Sequence, residues 1–155
     1  MPEALTDDEL RVLVSHCPPK LKAIVTLAAD TGMRKSEIQR LTWGDVDFEG
    51  RTLIIRKTKN KDYRVIPMTD TVYRLLLTLQ SRGNGTEHVI PFVDVGRGLS
   101  RASQKAGIKH VHLHMLRHTF ATRLRDRGVP LDRIMELMGH KSMEMVLRYA
   151  KARPQ

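Results

Sequence analysis

The pattern of apolar and polar positions divides the chain into helical stretches at both ends and a β-rich stretch between them. Thr6 followed by Glu9 is a capping box, in which a hydroxyl and a carboxylate satisfy two of the N–H groups left open where a helix begins. The first helix is predicted to run from there to about His16. Pro18 and Pro19 break it, and Leu21 to Ala29 is apolar enough for a core helix that stops at Thr31-Gly32. Another helix follows from about Lys35 to Leu41. Thr52-Leu53-Ile54-Ile55 and Tyr63-Arg64-Val65-Ile66 flank the polar Lys59-Asn60-Lys61-Asp62, which predicts an antiparallel hairpin with a basic tip. Val46-Asp47-Phe48 can add a short third strand. Thr69 caps a helix through about Gln80, Gly83-Asn84-Gly85 is a loop, and residues Gly96 to Ser100 read as the lead-in to a helix ending near Gly107. The final third is helical: His114 to Arg127, Pro130 to Met138 with proline in its first turn, and Ser142 to about Lys151. The fold class is therefore mainly α with a small antiparallel β-sheet, an α+β arrangement in one domain.

Charge narrows the partners. Across 155 residues, 27 Lys and Arg stand against 17 Asp and Glu, and the sequence pI near 10.2 exceeds the value of about 9 at which a nucleic-acid partner is worth considering. Basic charge also suits membrane surfaces and acidic proteins, so it only ranks DNA or RNA first. No apolar run reaches the length of a membrane span, and Met1-Pro2-Glu3 opens no signal-peptide pattern, so the expected location is cytoplasmic or nucleoid-associated. The single Cys17 makes no intrachain disulfide and no zinc site; it reads as a small, semi-buried apolar residue. No internal repeat and no low-complexity linker interrupts the chain.

Four separated segments carry chemistry. Thr31-Gly32-Met33-Arg34 places Arg34 just beyond a helix-ending glycine, at a helix start whose N–H groups favour an anion, although taken alone it reads rather as a capped helix with a solvated arginine. In His114-Met115-Leu116-Arg117-His118 the three-residue spacing puts His114 and Arg117 on one helix face. A guanidinium matches two phosphate oxygens, and an imidazole moves a proton near neutral pH. His118 points elsewhere and reads as structural. An isolated H-x-x-R is chance as often as function. His140 follows Gly139, and Tyr149 lies nine positions beyond it. Two arginines, two histidines, a hairpin lysine and a late tyrosine are together the parts that phosphoryl transfer without a metal needs.

In these residues the chain resembles the catalytic domain of the tyrosine recombinase family, the phage integrases, from about Leu5 to Ala150. Arg34 in TGMRKSEI matches the family's first catalytic arginine, and Glu37 its supporting acidic residue. Lys57 in IIRKTKNKDYRVIP falls where the family has its hairpin lysine, with Lys59 as the second choice. His114 and Arg117 match the H-x-x-R box; His140 in LMGHKSMEMVLRYA takes the His or Trp position, and Tyr149 the nucleophile position. The intervals agree: Arg117 to Tyr149 is 32 positions, His140 to Tyr149 nine.

The resemblance implies site-specific DNA recombination or integration through a 3′-phosphotyrosine at Tyr149, with no metal and no cofactor. It gives Arg34 and Arg117 to the phosphate oxygens, Lys57 to the leaving 5′-oxygen, His114 to the tyrosine proton, His140 to a phosphate hydrogen bond and Glu37 to the support of a neighbouring arginine. The implied partner is double-stranded DNA, with Arg56, Lys59, Lys61, Arg101, Lys105 and Arg123 as candidate backbone contacts. Family members assemble as tetramers on DNA, whereas a catalytic domain alone is expected to be a monomer. Residues 1–155 are expected to form that single domain, without the family's N-terminal core-binding domain and with few residues after Tyr149. Two alternatives stand: a DNA-binding regulatory module of the same fold without catalysis, and a topoisomerase-like or resolvase-like enzyme. The target sequence and the choice among integration, excision and resolution are not encoded in the spacing.

Overall fold

The computed structural model describes residues 4–56, 63–91 and 93–139. Its helices are α1 (Asp7–Ser15), α2 (Pro19–Thr31), α3 (Lys35–Arg40), α4 (Asp70–Arg82), α5 (Val95–Ala106), α6 (Leu113–Asp126) and α7 (Leu131–Met138). A three-stranded antiparallel sheet, in the order β1 (Val46–Asp47), β2 (Thr52–Arg56) and β3 (Tyr63–Pro67), lies between α3 and α4 in sequence. The α+β class expected from the sequence is the class observed.

Helix α2 is the centre of the packing because its sequence is apolar around most of its circumference, the mark of a fully surrounded helix. Leu21, Ala23, Ile24, Val25, Leu27, Ala28 and Ala29 are all buried, and α2 meets α1, α3, α4, α5 and, most extensively, α6. Each such aliphatic side chain removed from water contributes about 1.5 to 3 kcal/mol for the larger ones. Proline starts α2 two residues earlier than the apolar pattern indicated, since Pro19 at the first position lacks only an N–H that would be unpaired anyway. The N-terminal segment is tied to α6 where the Leu5 N–H donates to Thr119 Oγ1 at 2.9 Å. Cys17 is half-buried as expected; burial pushes its thiol up to about 11, away from the range of a reactive thiolate.

Helix α5 corrects one expectation. Residues 96–100 are not a lead-in but its first turns: the Asp94 carboxylate accepts the Arg97 N–H at 3.2 Å and caps the helix at Val95. Burial of Val95, Leu99 and Ala102 on one face then outweighs the poor helix propensity of Gly96 and Gly98. Pro130 likewise sits at the cap of α7, one position before the first turn.

The sheet is one-sided. Leu53 and Ile55 of β2 and Ile66 of β3 face the core, while Tyr63 and Val65 on the outer strand are exposed. Ile55 is paired with Arg64, and Arg56 with Tyr63. Among the described residues no helix is long and apolar enough to cross a membrane.

Candidate active site

Arg117 lies in the second turn of α6 and is buried, with 6% exposure. Its Nε donates to the Gly32 carbonyl at 2.6 Å and its Nη2 to the Met138 carbonyl at 3.2 Å. These oxygens belong to the C-terminal ends of α2 and α7, where unpaired carbonyls and the helix dipole both favour a cation. The two contacts fix the guanidinium plane, and because carbonyls carry no formal charge they do so without neutralising it. Gly32 makes the approach possible. It ends α2 with φ of 72°, and a Cβ there would stand 2.6 Å from the Phe120 ring.

Gly32→Ala should therefore cost stability by about 2 to 4 kcal/mol, combining left-handed backbone strain with overpacking. Denaturant melts check this; a loss below half a kilocalorie would mean that Phe120 yields and the junction is loose.

Two residues beyond Gly32, Arg34 precedes α3. Its backbone N–H donates to Glu37 Oε1 at 2.8 Å, and its guanidinium reaches Glu37 Oε2 at 3.3 Å. The anion held at this helix start is thus the protein's own carboxylate. The Glu37 side chain is 1% exposed, yet Arg64 on β3 meets it with two bonds, Nη1 to Oε2 at 2.7 Å and Nη2 to Oε1 at 3.1 Å. This is the two-pronged geometry in which guanidinium and carboxylate bind most strongly. Burial pushes the Glu37 carboxyl up, but the Arg64 hydrogen bonds, the Arg34 N–H and the charge of both arginines more than reverse it, holding the group below the ordinary 4.5. Two guanidiniums share one carboxylate, so the trio keeps a net positive charge.

A carboxyl depressed on folding stabilises the fold fully above its ordinary value, and that contribution disappears as pH falls through the depressed one. Glu37→Gln is accordingly expected to melt below wild type at neutral pH. The gap should close as pH drops from 4.5 toward and past the folded value. A gap that stayed constant down the acid range would show that the charge of Glu37 does not stabilise the fold.

His114 stands exposed in the first turn of α6, three positions before Arg117, and His118 is buried, as a structural histidine should be. The structure thus joins Arg34, Glu37 and Arg117 at one junction, with His114 on the same helix as Arg117. Lys57, Lys59, Lys61, His140 and Tyr149 lie outside the described residues; β2 ends at Arg56, one residue before Lys57, and Gly139, which caps α7, stands one before His140.

Of the candidate DNA contacts, Arg56 pairs with the buried Asp45 at 3.0 Å while remaining half exposed, and Arg101 and Lys105 are exposed on α5. Arg123 pairs with Asp30 at 3.4 Å and Asp7 at 3.7 Å. Sequence reasoning missed Arg64, although a signal was present: on a one-sided strand it shares a face with the buried Ile66. A charged residue at an inward position calls for a buried counter-ion.

The sequence matches the phage integrase family over residues 3–155. It is 33% identical over 166 residues to the tyrosine recombinase XerA of Thermococcus kodakarensis, an alignment covering 97% of this chain and 58% of that protein, so the chain spans little more than half of that relative. The catalytic domain of bacteriophage HP1 integrase superposes with a TM-score of 0.80 at 27% identity, over 99% of this chain and 90% of that one. The Tn1549 transposon integrase, solved in complex with circular intermediate DNA, superposes with a TM-score of 0.81 at 25% identity over 96% of this chain and 62% of that one. The fold, the buried Arg117 held on two helix-terminal carbonyls near Arg34, and these matches together place the chain in the phage integrase family, the tyrosine recombinases.

Proposed function

We propose that this chain cleaves and rejoins double-stranded DNA as the catalytic domain of a site-specific recombinase, with Tyr149 as nucleophile. Tyr149 Oη attacks the scissile phosphorus while its proton passes to His114. The bond from phosphorus to the 5′-oxygen breaks, and Lys57 gives that oxygen the proton with which it leaves as a hydroxyl. The 3′-phosphate stays linked to Tyr149, so the reverse attack by a 5′-hydroxyl rejoins the strand with no further energy source. Arg34 and Arg117 hold the non-bridging oxygens and stabilise the charge that grows on them, the electrostatic effect that dominates reactions of this kind. His140 adds a hydrogen bond to the same phosphate, and Glu37 supports Arg34.

The observation that carries this reading is the anchoring of Arg117 on the Gly32 carbonyl, two residues from Arg34, which places two guanidinium-bearing positions from distant parts of the chain at one junction. The net charge of +10 supports a polyanionic substrate, and the Tn1549 integrase solved on DNA supports DNA in particular. Assembly as a tetramer on DNA belongs to the same reading for the full-length protein.

The test is incubation with a nicked suicide substrate that carries the attachment site. A denaturation-resistant protein–DNA band whose tryptic peptide maps to Tyr149 is expected. DNA binding without such a band would favour a non-catalytic DNA-binding module.

A further inference from the structure

We propose that Arg64 is a positioning residue for the cleavage step, an inference that rests on the recombinase reading above. Each of its three guanidinium nitrogens donates a bond: Nη1 and Nη2 to the Glu37 carboxylate and Nε to the Leu137 carbonyl at 2.6 Å. The carboxylate it grips also holds Arg34, and the carbonyl it grips is adjacent to Met138, whose own carbonyl holds Arg117. Arg117 in turn is bonded to Gly32, two residues from Arg34. The contacts close into a ring running from Arg34 through Glu37, Arg64, the end of α7 and Arg117, then back to Arg34 along the backbone.

Arg64 is the link that no shorter side chain can supply, because the ring must pass from a carboxylate on α3 to a carbonyl on α7. Its side chain is only 12% exposed and each of its three guanidinium nitrogens is bonded to protein, so its role is to position other groups. β3 holds its base in register opposite Ile55. Gly139 leaves room for its head: a Cβ there would stand 2.8 Å from Nη1. The same link ties the hairpin strand to the end of α7, from which the chain continues toward His140.

The consequence is specific. If Arg64 keeps the two phosphate-binding arginines at their mutual spacing, its loss should damage the step in which charge builds on the non-bridging oxygens and leave DNA affinity alone. A displacement of one ångström at such a site can cost about 100-fold in rate. Arg64→Met removes the link altogether. Arg64→Lys keeps a positive charge on Glu37 but offers one point donor, which does not span carboxylate and carbonyl together.

The experiment measures single-turnover formation of the Tyr149 adduct at saturating protein. It uses wild type and both variants, on a phosphodiester suicide substrate and on one with a racemic methylphosphonate at the scissile position. The methyl group replaces a charged non-bridging oxygen and so removes the charge the arginines stabilise. Expected are folded variants with unchanged DNA affinity, a rate loss of about 100-fold on the phosphodiester, and a gap narrowed to a few-fold on the methylphosphonate. Should Arg64→Met fail to fold, Arg64→Lys decides alone. Variants cleaving the phosphodiester at the wild-type rate would overturn the proposal, as would equal losses on both substrates, which mark general loosening. Failure of wild type itself to form an adduct on the phosphodiester would instead remove the recombinase reading, and this inference with it.

Discussion

Tyr149→Phe is expected to bind DNA as wild type does and to form no covalent adduct. The substitution removes one oxygen and no charge. Affinity for a duplex comes chiefly from cationic contacts with phosphates, and the basic residues are untouched, so binding and its dependence on salt should not change. Chemistry should stop because a phenyl ring has no atom that can attack phosphorus. An unperturbed tyrosine ionises near pH 10, so the wild-type hydroxyl itself depends on a proton acceptor and on positive surroundings. Gel-shift titration and denaturing electrophoresis of the suicide reaction read both quantities. An adduct that survives the change would take the nucleophile role away from Tyr149.

Arg117→Ala is expected to lose both stability and rate. The guanidinium is buried and bonded to Gly32 and Met138, so truncation strands two carbonyls at helix ends. Hydrogen bonds to a charged group contribute about 1.5 to 3 kcal/mol each, so losing both is expected to cost about 3 to 6 kcal/mol. Removing one group that stabilises charge in the transition state lowers rate by about 100- to 1,000-fold. Arg117→Lys separates the two effects. A lysine can bond one of the carbonyls and recover part of the stability, but it has no planar fork to hold two carbonyls and a phosphate together, so its rate should stay near that of the alanine variant. Cleavage by Arg117→Lys at nearly the wild-type rate would mean that the charge, and not the fixed geometry, is what matters at this position.

The elements with strong local signatures were legible in the sequence. The Thr6 and Glu9 pair marked the start of α1, the glycine after Thr31 marked the end of α2, and the two β-rich runs gave both long strands in their observed places. What the sequence did not disclose was tertiary. α5 begins at Val95 because Asp94 caps it and its apolar face is buried, which no local propensity of a glycine-containing stretch could show. The site divided in the same way. Arg34, Glu37, His114 and Arg117 carry spacings that can be read along one dimension, and Arg117's burial between two helix ends then follows from the packing of α6 on α2. Arg64 has no such spacing. Its importance lies in joining α3 to α7 from a strand far from both in sequence, and it becomes visible only when Glu37 is seen buried between two guanidiniums.

That arrangement also reconciles a buried acidic residue with the phosphate-binding role proposed for the site. A buried ion pair adds little to stability by itself, but removing one partner leaves an uncompensated charge and costs about 3 to 5 kcal/mol. Glu37 therefore locks Arg34 and Arg64 in place strongly while cancelling only one of their two charges. Geometry is fixed and attraction for an anion survives.

Arg34 and Arg117 are proposed to serve one phosphate, and a structure of the Tyr149→Phe protein on its uncleaved attachment site measures this directly. Both guanidiniums are predicted to lie at hydrogen-bond distance, about 3 Å, from the non-bridging oxygens of the same phosphodiester. Guanidiniums bound to different phosphates, or one still facing only protein with the DNA fully docked, would contradict it.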